Sequence, residues 1–199
     1  MTRKYLAIVA TLLLCGCMTA AQQQYNNISA QMSAAGQALA SCARANFYSS
    51  DYDLIRKHTA LDVKELTLEQ LTDKSHATQE EIQAILAVHP KAEACRAEYV
   101  RSITPVAPSL AALAAQLYNN AERNLIDLIE NKKNYGEWAT TNKTLVVEYL
   151  VSYNKESQII ISGLNQSHQA EMAQRQAAAN AFAQYMQTQQ LISAIGSRR

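Results

Sequence analysis

The chain is poor in the residues that make turns and interrupt regular structure. Among its 199 residues are 5 glycines and 3 prolines, whereas Ala, Gln, Leu and Glu are abundant. Scarce breakers and abundant helix formers favour helix throughout. Val146-Val147 and Ile159-Ile160-Ile161 have some strand character, but no hairpin turns flank these two short runs. We therefore predict an all-α fold.

A large charge of one sign is also missing. The chain has 18 Lys and Arg against 17 Asp and Glu. Arg3 and Lys4 stand next to the start, so the rest of the chain carries 16 basic residues against 17 acidic ones. This balance indicates no nucleic-acid partner and no strong electrostatic attraction to anionic lipid.

Motifs for metal, cofactor or nucleophilic chemistry are lacking as well. The histidines, His58, His76, His89 and His168, are scattered, and no His-Glu-x-x-His, Cys-x-x-Cys or Glu-x-x-His occurs. No glycine-rich phosphate loop and no Gly-x-Ser-x-Gly elbow is present. We therefore predict no metal, no cofactor and no catalytic residues.

Two features could suggest chemistry, and each has an ordinary explanation. Ser152-Tyr153-Asn154-Lys155 has the Ser-x-x-Lys pattern of penicillin-binding proteins and related hydrolases. Those enzymes also need a Lys-Thr-Gly element and a mixed sheet, neither of which is evident. The paired carboxylates Glu80-Glu81, with Glu93 and Glu98, are predicted to lie on exposed helix faces as solvated surface.

The beginning of the chain has the pattern of a secretory signal. Residues 5–14 are almost wholly apolar and follow the basic start, and this length suits a signal peptide but is too short to span a bilayer. The segment ends Leu14-Cys15-Gly16-Cys17, which resembles the lipobox of bacterial lipoproteins. The resemblance implies that residues 1–16 are a cleaved signal peptide and that Cys17 is acylated.

Acylation would make the membrane a partner. Several acyl chains at ~0.8 kcal/mol per buried methylene anchor a protein firmly. Met18, not aspartate, follows the cysteine, which by analogy with enterobacterial sorting implies the outer membrane, with the protein facing the periplasm. The alternative is an ordinary signal cut after Ala20 or Ala21.

Two further cysteines, Cys42 and Cys95, would lie in an oxidising compartment. They have one possible connectivity, so we predict a disulfide between them. In the chain-entropy model, closing a loop of this length stabilises the fold by about 4 kcal/mol. The alternative is two buried free thiols.

Apolar periodicity and capping signals divide the chain into helices. The first predicted helix runs from Ala20 to Phe47, with Cys42 on its buried stripe, and a short helix follows from an N-cap at Ser50 to His58. Further helices begin with capping boxes at Thr67–Gln70 and Thr78–Glu81; the second of these has a predicted break or kink near His89, caused by Pro90, and ends at Thr104–Pro108. The last two predicted helices run from Ser109 to Lys133 and from Glu137 almost to the end of the chain.

The composition changes after Gln166, where glutamine and alanine dominate. Met172, Ala179, Phe182 and Met186 form a thin apolar stripe there. It belongs either to a solvated helix or to a helix that binds a partner or a second copy. We therefore predict an elongated helical bundle over residues 17–165 and a C-terminal helix over residues 166–199 that packs on it or projects.

These observations favour a non-enzymatic, membrane-anchored protein: a scaffold, an assembly factor or an accessory subunit of an envelope complex. An alternative is a carrier of a lipid or another hydrophobic ligand between helices. A third hypothesis is a hydrolase of envelope polymers, whose only motif is the Ser152 pattern.

Overall fold

The computed structural model describes the backbone of residues 18–196 and the side chains of residues 18–188. The predicted signal peptide and Cys17 lie outside the described residues. No strand occurs in this range, and the all-α prediction is confirmed. The helices are α1 (Ala20–Phe47), α2 (Asp53–Arg56), α3 (Leu68–Thr72), α4 (Gln79–Ile103), α5 (Pro108–Ile129) and α6 (Tyr135–Gly196), with 3₁₀ turns at Ser50–Tyr52 and Val63–Glu65.

The described chain divides into two compact units. One contains residues 27–159, and the other contains residues 18–26 and 160–196. Helices α2 to α5 lie wholly in the first of these, which we call the bundle unit. The other, which we call the terminal unit, holds the start of α1 and the second part of α6.

The short helices begin where local hydrogen bonding favours them. Both predicted capping boxes are present: the Thr67 hydroxyl accepts from Gln70 N–H, and the Thr78 hydroxyl accepts from Glu81 N–H. Each glutamine or glutamate side chain accepts in return from the N-cap N–H. The predicted N-cap at Ser50 is wrong, because the 3₁₀ turn is capped one residue earlier, at Ser49, whose side chain makes no capping bond.

Helix α4 runs through Pro90, and the predicted break does not occur. Proline removes one backbone hydrogen bond from a helix interior. Here, buried side chains lie on both sides of it, Ile85 and Val88 before and Cys95 and Tyr99 after. Packing of this face against the bundle holds the helix together across the missing bond.

Helix α5 ends earlier than the predicted Lys133. Asn131 has a left-handed backbone, with φ 57°. Lys132 N–H donates to Asp127 O at 2.9 Å and Asn131 N–H donates to Leu128 O at 3.0 Å. This is a Schellman ending, in which asparagine takes the position usually held by glycine.

Helix α6 begins immediately afterwards and is 62 residues long. Asn134 and Glu137 form a capping box that the sequence analysis did not identify: Glu137 N–H donates to Asn134 Oδ1 and Asn134 N–H donates to Glu137 Oε2. The helix continues without a break through Gly163 and through the glutamine-rich segment.

The core of the bundle unit gathers where α2, α4, α5 and the start of α6 meet. Its side chains are largely aliphatic, with Tyr135 the largest fully buried one. The buried members are Ile55, Ala77, Ile85, Val88, Leu128 and Tyr135, and Tyr52, Ile82, Leu125, Ile129 and Trp138 pack around them.

In the terminal unit, the start of α1 is held against α6. The Thr19 hydroxyl lies 2.8 Å from Nδ1 of His168, and Ala20 N–H donates to Glu171 Oε2 at 2.9 Å. Thr19 and Ala21 are buried there. The chain that directly follows the predicted acylated cysteine is therefore fixed on helix α6.

Candidate functional site

The predicted disulfide is present between Cys42 of α1 and Cys95 of α4. Their Cα atoms are 5.9 Å apart, within the range that disulfides require. Cys95 is buried, but Cys42 is exposed, so placing Cys42 on a buried stripe was wrong. The bond joins two helices at the edge of the core and therefore fixes α1 on α4.

A cluster of polar side chains surrounds the buried His58, which follows the short helix α2. Nδ1 of His58 is 2.6 Å from Asp73 Oδ2, and Nε2 is 3.1 Å from Glu81 Oε1. The imidazole stacks on the Tyr135 ring, with ring centroids 3.7 Å apart and planes 1° from parallel. Lys57 Nζ is 3.2 Å from the same Glu81 oxygen.

Each member of this cluster comes from a different element. His58 follows α2, Asp73 ends α3, Glu81 lies in the first turn of α4, and Tyr135 begins α6. Backbone contacts support the arrangement, because the N–H of Tyr135 donates to Ser75 O at 3.0 Å and that of Gly136 to Asp73 O at 2.8 Å. The cluster thus joins the loops at one end of the bundle unit.

Hydrogen bonding sets the electrostatics of the two carboxylates. Burial alone would raise the pKa of Glu81, but hydrogen bonds from Thr78, His58 and Lys57 outweigh it and lower the pKa to about 2. Burial would also raise the pKa of Asp73, but hydrogen bonds from Ser75 and His58 outweigh it and lower that pKa. Both groups are therefore carboxylates at neutral pH.

This geometry suits a structural role better than a catalytic one. Both ring nitrogens of His58 face carboxylates, and a neutral imidazole can donate from only one of them. Each nitrogen already lies within hydrogen-bond distance of a carboxylate of the protein, so neither is left free to act as a base or a metal ligand.

This cluster was not predicted from the sequence, and Glu81 was predicted to lie on an exposed face. Glu81 is only 6% exposed, so that prediction was wrong for it. The sequence indicated that Glu81 belongs to a capping box. Its partner His58, however, lies 23 residues earlier, and local sequence patterns do not predict contacts at that separation.

An apolar cavity of about 300 Å³ lies inside the bundle unit, between α1, α4, α5 and α6. It adjoins the disulfide, since Cys95 is part of its wall. The lining is mostly apolar and includes Leu39, Ala43, Phe47, Tyr52, Ala92, Leu117, Tyr118, Ala121, Leu125, Trp138, Leu145 and Val146.

The main charged group in this lining is Arg96. Its guanidinium lies 5.5 Å from the centroid of the Tyr118 ring, a cation–π arrangement. Burial raises the pKa of Tyr118 to about 12. Burial also raises the pKa of Tyr52, although the positive charges of Arg96 and Arg56 oppose it. Both phenols are therefore neutral at neutral pH.

The predicted stripe on the C-terminal helix is exposed. Side chains 172–188 are all exposed, including Met172 at 48%, Phe182 at 65% and Met186 at 43%. At 100° per residue these three and Ala179 fall within an arc of about 80°. The stripe is therefore one apolar face in contact with solvent.

The remaining candidates stay separate. Ser152 and Lys155 are exposed on α6, and His76 is exposed in the loop before α4. Nε2 of His89 lies 3.5 Å from Glu122 and 3.9 Å from Glu93.

Among the described residues there is no group of three or more His, Cys, Asp or Glu arranged to hold a metal ion. No described helix combines the length and apolar character needed to cross a bilayer.

The chain matches no protein family model, no curated protein and no solved structure.

Proposed function

We propose that this chain is a lipid-anchored, periplasm-facing protein of the bacterial outer membrane that acts as a non-enzymatic scaffold or accessory subunit of an envelope complex. The observation that carries the proposal is the uncovered apolar face of α6, formed by Met172, Ala179, Phe182 and Met186. Exposed apolar side chains gathered on one face are typical of interaction surfaces.

The chemistry of the face favours a helix of another protein as its partner. Ala179 allows a second backbone to approach the face closely, while Phe182 and Met186 offer the large side chains that fill such an interface. Methionine adapts its shape to different partners. Glutamines beside the stripe provide uncharged hydrogen-bonding groups.

The membrane anchor supports the same proposal from the other end of the chain. The lipobox pattern Leu14–Cys17 supplies the acylation site, and Thr19 and Ala20 are fixed on α6 by His168 and Glu171. The chain that follows the lipobox is therefore attached to the helix that carries the exposed face.

Site-specific photo-crosslinking in living cells tests the proposal. A photoreactive amino acid replaces Phe182 in one variant and Gln184 in the other; at 100° per residue, position 184 faces nearly the opposite side of the helix. We expect position 182 to yield a discrete adduct with one envelope protein, and position 184 to yield none.

The adduct must also depend on the rest of the face. Met186→Ser should remove it, whereas Gln187→Ser, at a neighbouring position off the stripe, should leave it. Adducts only with lipid, only with a second copy of this chain, or equally at both positions would contradict the proposal of a separate protein partner.

A further inference from the structure

The cavity in the bundle unit is a pocket between helices that is partly open to solvent and measures about 300 Å³. That volume is at the lower limit of small-molecule sites, which are mostly apolar with a few polar groups. Its size and lining suit a ligand with one short apolar chain.

Arg96 gives the cavity a single positive charge. The other arginine near Tyr52, Arg56, pairs with the Asp53 carboxylate at 2.7 Å and donates to Phe47 O and Ser49 O. In contrast, no carboxylate in the described part of the chain forms an ion pair with Arg96, whose contact is the Tyr118 ring. A half-buried cation beside an apolar space is more stable when an anion pairs with it.

We propose that the cavity binds a small monoanionic amphiphile, a short unbranched chain ending in a carboxylate, with the chain between the helices and the carboxylate on Arg96. Arginine presents a planar pair of donors that matches a carboxylate. One cation in the lining fits one negative charge. Tyr52 and Tyr118 line the same space as neutral phenols, so they do not repel an anion. This proposal does not depend on the protein partner of α6.

Trp138 allows a direct test, because it lines the cavity and is the only tryptophan in the chain. The full chain is held in discs of zwitterionic lipid and titrated with 11-bromoundecanoate, whose bromine quenches indole fluorescence at short range. The neutral 11-bromoundecanol is the matched probe. We expect saturable quenching by the carboxylate, reversed by unbrominated undecanoate, and quenching by the alcohol only at much higher concentration.

Variants locate the site. Arg96→Gln should weaken binding of the carboxylate by about tenfold or more and leave the alcohol unchanged, because it removes a charge-assisted hydrogen bond. Ala121→Phe fills the cavity and should abolish quenching by both probes. Arg123→Gln, on the exposed side of α5, is the matched control and should bind as the unaltered chain does.

Two results would overturn the proposal. One is equal quenching by carboxylate and alcohol in the unaltered chain, which needs no variant to interpret. The other is unchanged carboxylate binding in Arg96→Gln at a thermal midpoint equal to that of Arg123→Gln.

Discussion

At the scale of single residues, His58 links more of the bundle unit than any other polar side chain of the buried cluster. It contacts Asp73, Glu81 and Tyr135, each from a different segment. Buried carboxylates are tolerated only when they are paired and hydrogen-bonded. The stability of this end of the bundle should therefore depend on one imidazole.

Replacing this histidine tests that dependence. We expect His58→Gln to lower the free energy of unfolding by roughly 1–3 kcal/mol, because it removes hydrogen bonds to two carboxylates and the ring that stacks on Tyr135. His76→Gln is the control, since His76 is exposed and should change stability by less than about 0.5 kcal/mol. Urea unfolding followed by circular dichroism gives both values; equal values for the two variants would show that the cluster is not stabilising.

Glu81 predicts how stability changes with pH. Its pKa falls from an ordinary 4.5 to about 2 in the folded chain. A carboxyl group with a lowered folded pKa stabilises the fold above its unfolded pKa, and this contribution is lost as the pH falls from about 5 towards 2. At pH 7 the contribution is on the order of 3 kcal/mol.

Glu81→Gln isolates this charge, because glutamine keeps the capping-box pattern at that position. We expect the variant to be less stable than the unaltered chain at pH 7, and the difference to shrink steadily between pH 5 and pH 2. Glu80→Gln, at the exposed neighbouring position, is the control. A difference between Glu81→Gln and the unaltered chain that stays constant down to pH 2 would contradict the lowered pKa.

At the scale of elements, the start of α6 is fitted tightly against the loop after α3. A Cβ atom at Gly136 would lie 2.7 Å from Leu71 O and 2.8 Å from Asp73 O. Both are backbone atoms, and Asp73 O also accepts from the N–H of Gly136, so they cannot move aside easily. The junction therefore requires glycine for space, not for a special backbone angle.

Two glycine-to-alanine changes should act in opposite directions. We expect Gly136→Ala to destabilise the fold by about 1–3 kcal/mol through overpacking. Gly36→Ala, in the interior of α1 with nothing within 4 Å of the added atom, should stabilise by about 0.5–1 kcal/mol because alanine favours helix. Thermal unfolding of both variants measures the pair, and a stable Gly136→Ala chain would show that the loop is free to shift.

The elements also show what could be predicted from sequence. The bounds of α1 and the capping boxes at Thr67 and Thr78 were correct, because their signals are local. The break predicted near His89 was wrong, since packing of distant side chains stabilises α4 across Pro90. The ending of α5 was placed too late, because the left-handed turn at Asn131 was not recognised.

The candidate sites also divide into those that local sequence signals predict and those that depend on distant contacts. The disulfide could be predicted because only two cysteines follow the predicted lipobox, and the apolar stripe because its residues are spaced by seven, three and four positions. The His58 cluster and the cavity could not, because both combine residues from several helices. Their positions depend on tertiary packing, which periodicity does not report.

At the scale of the whole molecule, the anchor and the disulfide make one joint prediction about the covalent state of the chain. Thr19 and Ala20 are fixed on α6, so cleavage before Cys17 would leave the folded part intact, whereas a cut after Ala20 or Ala21 would remove Thr19 and its contact with His168. If the proposed anchor is correct, we expect the chain isolated from its own cells to have the mass of residues 17–199 plus acyl chains.

The disulfide is measured on the same sample. Alkylation without reductant should leave Cys42 and Cys95 unmodified, although Cys42 is exposed and would react as a free thiol. Reduction should then lower the free energy of unfolding by about 4 kcal/mol in the chain-entropy model, and the double variant Cys42→Ala, Cys95→Ala should have the stability of the reduced chain.

An unacylated chain that begins near Ala21 would remove the membrane from the proposed function, and alkylation of Cys42 before reduction would remove the link between α1 and α4. The two results are independent, because the anchor and the disulfide rest on different cysteines.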